Sequence, residues 1–137
     1  MPLSPNPYAA LKEASRYVRL FRGKTFVVKV GGEVLAEPKI RKALCEQIAL
    51  LWSFSIKVVV VHGGGAELDA VCEAMHIPVQ KVAGRRVTSP EVLDAAKMVF
   101  AGQVHMDLLA ELQAAGVPAV GLTGLDATHV PYKAAAA

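Results

Sequence analysis

Aromatic residues are scarce in this chain, 6% in all with a single tryptophan. Single-stranded nucleic acids are held by bases stacked on aromatics between clustered cations. Here 15 Lys and Arg are dispersed among 12 Asp and Glu for a net charge of +3, with no aromatic interleaving, so a nucleic-acid partner is not expected. Only two cysteines occur, Cys45 and Cys72, in separate helical patterns without a CxxC pair. That excludes a disulfide framework or a thiolate metal site and fits reduced core thiols in a cytoplasmic protein. The histidines, His62, His76, His105 and His129, are scattered, and each reads as packing or surface, with no metal site expected. Charge is also sparse at 20%, with a mean hydropathy of +0.37. A domain of this size is seldom so apolar alone, which predicts that part of its surface meets another subunit or domain. No apolar run approaches the length of a membrane span, and Met1-Pro2-Leu3-Ser4-Pro5 lacks the basic start of a secretory leader, so neither membrane insertion nor secretion is expected.

What the chain does have is Val58-Val59-Val60-Val61-His62-Gly63-Gly64-Gly65. An unbroken β-branched run reads as a strand buried on both faces, and the glycines that end it let backbone N–H groups approach an oxyanion. Ala66 to Met75 carries Leu68, Val71, Cys72 and Met75 at helical spacing, so the turn opens a helix whose N-terminal dipole favours negative charge. A second copy of the pattern lies upstream in Thr25-Phe26-Val27-Val28-Lys29-Val30-Gly31-Gly32. Taken alone, Lys29 reads as a strand-end lysine reaching solvent. Two glycine-terminated parallel strands deliver their ends to one sheet edge, which makes an anion-binding role for it the stronger reading.

The rest alternates helix and strand. Tyr8 to Phe21 sets Leu11, Ala14, Val18 and Phe21 on one stripe of a helix that packs on the core or on a neighbour. A helix from about Pro38 to Phe54 buries Ile40, Leu44, Ile48 and Leu51. Pro78 to Val82 alternates like a short strand or hairpin arm. Thr88-Ser89-Pro90-Glu91 starts a helix: either hydroxyl suits the cap, with Thr88 preferred, Pro90 suits the first position, and Glu91 suits a capping box. This helix continues toward Ala115, broken near Gly102 and ended by Gly116. Val117 to Leu122 reads as a further strand, again followed by glycine. The expected fold is a three-layer α/β/α sandwich on an open, mostly parallel sheet, with ligands at the carboxyl edge. Gly23-Lys24-Thr25 is not a P-loop, because it precedes a strand and Val18 stands where the first glycine belongs. Gly63-Gly64-Gly65 is not a dinucleotide fingerprint, because Leu68 replaces the later glycine.

Four motifs in order, Lys29-Val30-Gly31-Gly32, His62-Gly63-Gly64-Gly65, Gly84-Arg85-Arg86-Val87-Thr88 and Gly121-Leu122-Thr123-Gly124-Leu125-Asp126, resemble the N-terminal half of the amino-acid kinase family, from about Tyr8 to Asp126. Within it the likeness is greatest to the members that phosphorylate N-acetyl-L-glutamate in arginine biosynthesis. The resemblance implies phosphoryl transfer from ATP, with Mg2+, to the side-chain carboxylate of that substrate. It implies that Lys29 stabilises the transferring phosphoryl group, that Gly64 and Gly65 contact the acetylated substrate, that Arg86 holds its α-carboxylate, and that Gly31, Gly32 and Gly63 form the phosphate loop. Arg85 reads as surface. The segment 1–24 resembles the extra helix of arginine-inhibited hexameric members and implies an oligomerisation arm, in a homo-oligomer (dimer or hexamer) with arginine as feedback inhibitor. Residues 25–130 correspond to the amino-acid-substrate half, and 131–137 are an uninformative tail. The nucleotide-binding half of the family has no counterpart in these residues, so the 137 residues alone are expected to be inactive. The chain departs from the family at His105-Met106, where an Asn-Lys pair is common. Two alternatives stay open: a kinase for carrier-protein-linked aminoadipate or glutamate, and a non-catalytic arginine-sensing domain of an acetylglutamate synthase, although a sensor does not need Lys29.

Overall fold

A computed structural model describes residues 6–126. The chain opens with helix α1 (Pro7–Phe21), capped by Asn6, whose side-chain oxygen accepts from the amides of Tyr8 and Ala9 at 3.0 and 3.3 Å. Pro7 stands at the first helical position, where its missing N–H costs nothing. The helix buries none of its residues, and Leu11 is 66% exposed. Its end is anchored where the Phe21 ring meets Phe26 edge-on with centroids 5.3 Å apart.

Strands β1 (Thr25–Val30) and β2 (Lys57–His62) pair in parallel, Val27 opposite Val59 and Val30 opposite His62. Between them lie the short α2 (Gly32–Ala36) and α3 (Pro38–Ser53), and β2 is followed by α4 (Gly65–Ala74). A hairpin of β3 (Gln80–Val82) and β4 (Arg85–Val87) turns at Ala83 and Gly84, both at positive φ. The hairpin reading of 78–82 is therefore borne out, with β4 as the arm that the basic residues concealed. Helix α5 (Pro90–Lys97) passes without a break into a π-helical segment (Met98–Val104) around Gly102, then α6 (His105–Ala114), and Gly116 leaves it at φ +81°. No helix among the described residues is long and apolar enough to cross a membrane.

This is the expected α/β architecture on a parallel sheet, and the core shows why it folds. Val28, Val30, Val58 and Val60 point to one side, against Leu35, Cys45, Ile48, Leu68, Cys72, Val99, Leu108 and Leu112 from the helices. Several details differ from expectation. The valine strand is buried on one face only: its side chains alternate half-buried and exposed, and Val59 and Val61 are 48% and 49% exposed beside Val27. Among the described residues no helix covers that face. In α3, Ile40 is exposed and Cys45 is buried in its place. Met75, just past the end of α4, is exposed as well. Ser89, not Thr88, caps α5, accepting from the Val92 amide at 3.3 Å. Glu91 lies one position too early for a capping box, and its carboxylate accepts the Ser89 hydroxyl at 2.7 Å instead.

The reading of Val117 to Leu122 as a strand is corrected. The segment makes no ladder among the described residues, and the reason lies at its start. The Val117 amide closes α6 by donating to Leu112 O at 2.9 Å, Pro118 has no N–H, and the Ala119 amide turns back to Val117 O at 2.8 Å. Three consecutive positions thus have no donor for a neighbouring strand. A cavity of about 780 Å³ is lined by both β2 and residues 117–124.

Candidate functional site

The carboxyl ends of β1 and β2 bring the two glycine turns into contact. The Gly63 amide donates to Val30 O at 3.3 Å, so the second turn begins where the first strand ends. A Cβ on Gly32 would lie 2.9 Å from the Gly65 nitrogen, closer than a side chain permits, and a tight 3.3 Å from the Gly64 Cα. A Cβ on Gly64 would meet Val104 and Phe100 of the π-helical segment at 3.0 and 3.1 Å. Gly63 and Gly65 face open space, with nothing among the described residues within 4 Å of an added Cβ. Gly32 therefore lets backbone pack on backbone, Gly64 lets the turn pack on two side chains, and the other two leave the turn accessible from outside. The turn runs straight into α4, with Gly64 as the residue that precedes its first turn, which gives the site the positive end of a helix.

Arg86, on β4, is brought to the same place by the hairpin. Its Nη2 donates to Gly65 O at 3.1 Å and to Asp69 Oδ1 on α4. Lys81 on β3 holds the other Asp69 oxygen at 3.0 Å. The Lys81 hydrogen bond, followed by that of Arg86, holds the Asp69 carboxyl below its ordinary range against the opposing effect of desolvation. Arg86 Nε is buried without a partner, and Nη1 makes no hydrogen bond among the described residues. The protein therefore engages Nη2, Nε is enclosed, and Nη1 is the nitrogen of the fork left to a ligand.

Lys29 stands one residue before the end of β1, opposite Val61, on the uncovered face of the sheet. It forms no ion pair among the described residues. Gly31 precedes α2 and Gly32 begins it. The expected site residues thus divide into a contiguous group, Gly31, Gly32, Gly63, Gly64, Gly65 and Arg86, and Lys29 at the rim. No group of three or more His, Cys, Asp or Glu among the described residues is arranged to hold a metal ion. These residues therefore do not form a cage for Mg2+, an ion that many phosphoryl-transfer sites hold largely through substrate phosphates.

The sequence reading missed three contributors. Asp69 and Lys81 were hidden because their pairing depends on the hairpin. His105 was read with the scattered histidines, yet its Nδ1 lies 3.1 Å from His62 Nε2 beside the turn. The wide π-helical turn before it changes the helical phase by which a sequence is read. Arg85, as expected, is a surface residue. His129 and the tail 131–137 lie outside the described residues.

The chain is similar to known proteins in sequence and fold. The Amino acid kinase family matches residues 24–132. The chain is 71% identical over 127 residues to an acetylglutamate kinase of Myxococcus xanthus, covering 93% of this chain and 41% of the relative. It is 41% identical over 120 residues to one of Gloeobacter violaceus, covering 88% of this chain and 40% of the relative. The chain thus spans about two-fifths of the length of these relatives. Among solved structures, N-acetylglutamate synthase of Neisseria gonorrhoeae complexed with coenzyme A and N-acetyl-glutamate superposes with a TM-score of 0.69 at 32% identity, over 84% of this chain and 27% of that one. The same synthase complexed with coenzyme A and L-arginine gives 0.62 at 29%, over 84% and 26%. Glycine turns, hairpin arginine and strand-end lysine thus occur in a chain matched through most of its length, and the chain belongs to the amino acid kinase family.

Proposed function

We propose that this chain forms the amino-acid-substrate half of an acetylglutamate kinase, which transfers the γ-phosphoryl group of ATP to the side-chain carboxylate of N-acetyl-L-glutamate. A carboxylate oxygen attacks the γ-phosphorus, the bond from that phosphorus to the bridging oxygen breaks, ADP leaves with the electron pair, and an acyl phosphate remains. The observation that carries the reading is the contact between the two glycine turns beside Arg86, which gathers amides, a helix N-terminus and a guanidinium around one opening. Such transfer needs positioning and positive charge around spread-out oxygens. Arg86 offers its unbonded Nη1 and its charge to the α-carboxylate, Gly64 and Gly65 contact the acetylated substrate, and Gly31, Gly32 and Gly63 approach the phosphates. Lys29 acts on the charge of the transferring group.

Residues 25–130 are assigned to the substrate half, in a cytoplasmic protein. The segment 1–24 is assigned to contact with a second copy, supported by the exposure of Tyr8, Leu11, Tyr17 and Leu20 on α1. Light scattering with and without residues 1–24 tests this: an unchanged mass rejects it.

A second reading is favoured by the likeness to the synthase complexes: a kinase-like domain that senses arginine without catalysis. Trapping of acyl phosphate as the hydroxamate, with ATP, Mg2+ and free N-acetyl-L-glutamate, separates the two in the complete protein. Substrate-dependent hydroxamate supports the kinase. Arginine binding without any hydroxamate supports the sensor. An arginine-inhibited turnover supports the kinase with arginine as its feedback inhibitor.

A further inference from the structure

We propose that His105 is a positioning residue that aims the Gly64 amide, acting through His62. The proton count is determined by the partners. Gly63 O only accepts, so His62 Nδ1, 3.2 Å away, must carry a proton. In a neutral ring that leaves His62 Nε2 as an acceptor, and His105 Nδ1, at 3.1 Å, must be the donor to it. His105 Nε2 is then a bare lone pair, and its surroundings agree. A Cβ on Gly121 would lie 2.1 Å from it, so the Gly121 Cα–H is directed at that nitrogen, a contact that a lone pair accepts and an N–H does not. One relay thus runs from Gly121 through His105 and His62 to the Gly63 carbonyl.

The consequence follows from peptide planarity. The Gly63 C=O and the Gly64 N–H belong to one rigid unit and point in opposite directions. Fixing the carbonyl with His62 therefore fixes where the Gly64 amide points. The neighbouring Gly64 Cα is already held against Val104 and Phe100, so rotation of this peptide is the remaining freedom in the turn. His105 removes it. His105 follows the π-helical segment directly, which places its ring beside that of His62 with centroids 5.4 Å apart. No ion pair involves either ring among the described residues.

The role rests on the kinase reading for its functional half, and the test separates the two. Nitrogen-15 spectra of the imidazoles report tautomers without any turnover. In the unaltered protein both His62 and His105 should carry the proton on Nδ1. His105→Ala removes one of the two contacts that select this tautomer, so the Nε2–H form of His62 should become populated beside the Nδ1–H form that Gly63 O still favours. His105→Asn, whose amide also donates, should retain the Nδ1–H form of His62. An unchanged His62 tautomer in His105→Ala, or Nε2–H on His62 in the unaltered protein, overturns the relay whatever the activity. Kinetics carry the second half: His105→Ala should raise the KM for N-acetyl-L-glutamate by about three- to tenfold, the worth of one aligned hydrogen bond, with the KM for ATP unchanged and recovery in His105→Asn. Equal changes in both KM values, or no recovery, overturn the positioning role. Tautomers as expected in a protein that forms no acyl phosphate leave the relay standing and refute the kinase reading instead.

Discussion

Arg86 and Asp69 join the hairpin to the helix behind the glycine turn: one guanidinium nitrogen, Nη2, donates to the Asp69 carboxylate and also to Gly65 O at 3.1 Å. The arginine is thereby oriented before any ligand arrives. Arg86→Lys keeps the charge but loses the planar fork. It should raise the KM for N-acetyl-L-glutamate by about tenfold or more while leaving that for ATP unchanged. Asp69→Asn should give a smaller rise in the same KM, because it loosens the fork without removing it. Steady-state kinetics with each substrate varied in turn decide this, and equal effects of Arg86→Lys on both would move Arg86 out of the carboxylate site.

The same pair sets a pH dependence. Asp69 is held below its ordinary range in the folded chain by Lys81 first and then Arg86. The stabilisation is therefore fully present above the unfolded carboxyl value, near 4, and is lost as pH falls through the lower folded value. The groups are partly exposed, at 42% for Asp69 and 53% for Lys81, so the effect is modest and screened by salt. Amide exchange of Gln80 to Val87 should be faster in Asp69→Asn than in the unaltered chain at pH 6, with the difference shrinking as pH drops below about 4. A difference that persists at full size in acid would show that charge is not what docks the hairpin.

How much of this was legible in the sequence depends on the range of the interactions. The strands ending in glycine, the helix opening at Gly65 and the Pro90 start are local patterns, and the structure keeps them. Burial on both faces was inferred for Val58 to Val61 from a lack of alternation, but an apolar run does not reveal whether a second layer is present to cover it. Val117 to Leu122 has strand-like side chains, yet its first three backbone positions have no free donor. The His62–His105 relay spans 43 residues of sequence, and a π-helical turn intervenes, so no spacing rule could point to it.

Two glycines pack and two face outward, and substitution should separate them. Gly32→Ala forces a Cβ to 2.9 Å from the Gly65 nitrogen, which is backbone and cannot move aside. Such overpacking costs about 1–3 kcal/mol. Gly65→Ala meets nothing among the described residues within 4 Å and replaces glycine with a better helix former, so stability should hold or rise by less than about 1 kcal/mol. Its effect should fall on ligand binding alone. Denaturant midpoints of the two variants check the contrast, and equal losses would mean that the turns are not in contact.

Both thiols are fully buried. Burial pushes the Cys45 thiol above its ordinary range, the nearby Glu111 carboxylate adds to this, and Arg41 opposes it. Thiolate is the reactive form. An aromatic disulfide reagent at neutral pH should therefore modify neither cysteine of the folded chain at a rate near that seen in denaturant, with a slowing of about a thousandfold or more if only global opening exposes them. Rapid labelling of Cys45 without denaturant would contradict the packing of α3 on the core.

Lys29 provides the sharpest separation of stability from chemistry. Its side chain is exposed on the uncovered sheet face and forms no ion pair among the described residues. Lys29→Ala should therefore change the unfolding free energy, read from the denaturation midpoint, by no more than about 0.5 kcal/mol. If the lysine acts on charge that develops as the phosphoryl group moves, kcat in the complete protein should fall by about a hundred- to a thousandfold with both KM values nearly unchanged. A lysine that merely reaches solvent at a strand end predicts no change in kcat. A lysine that binds ATP in its ground state predicts a higher KM with kcat intact. Measuring midpoint, kcat and both KM values on one preparation distinguishes the three, and only a selective loss of kcat is compatible with transition-state stabilisation by Lys29.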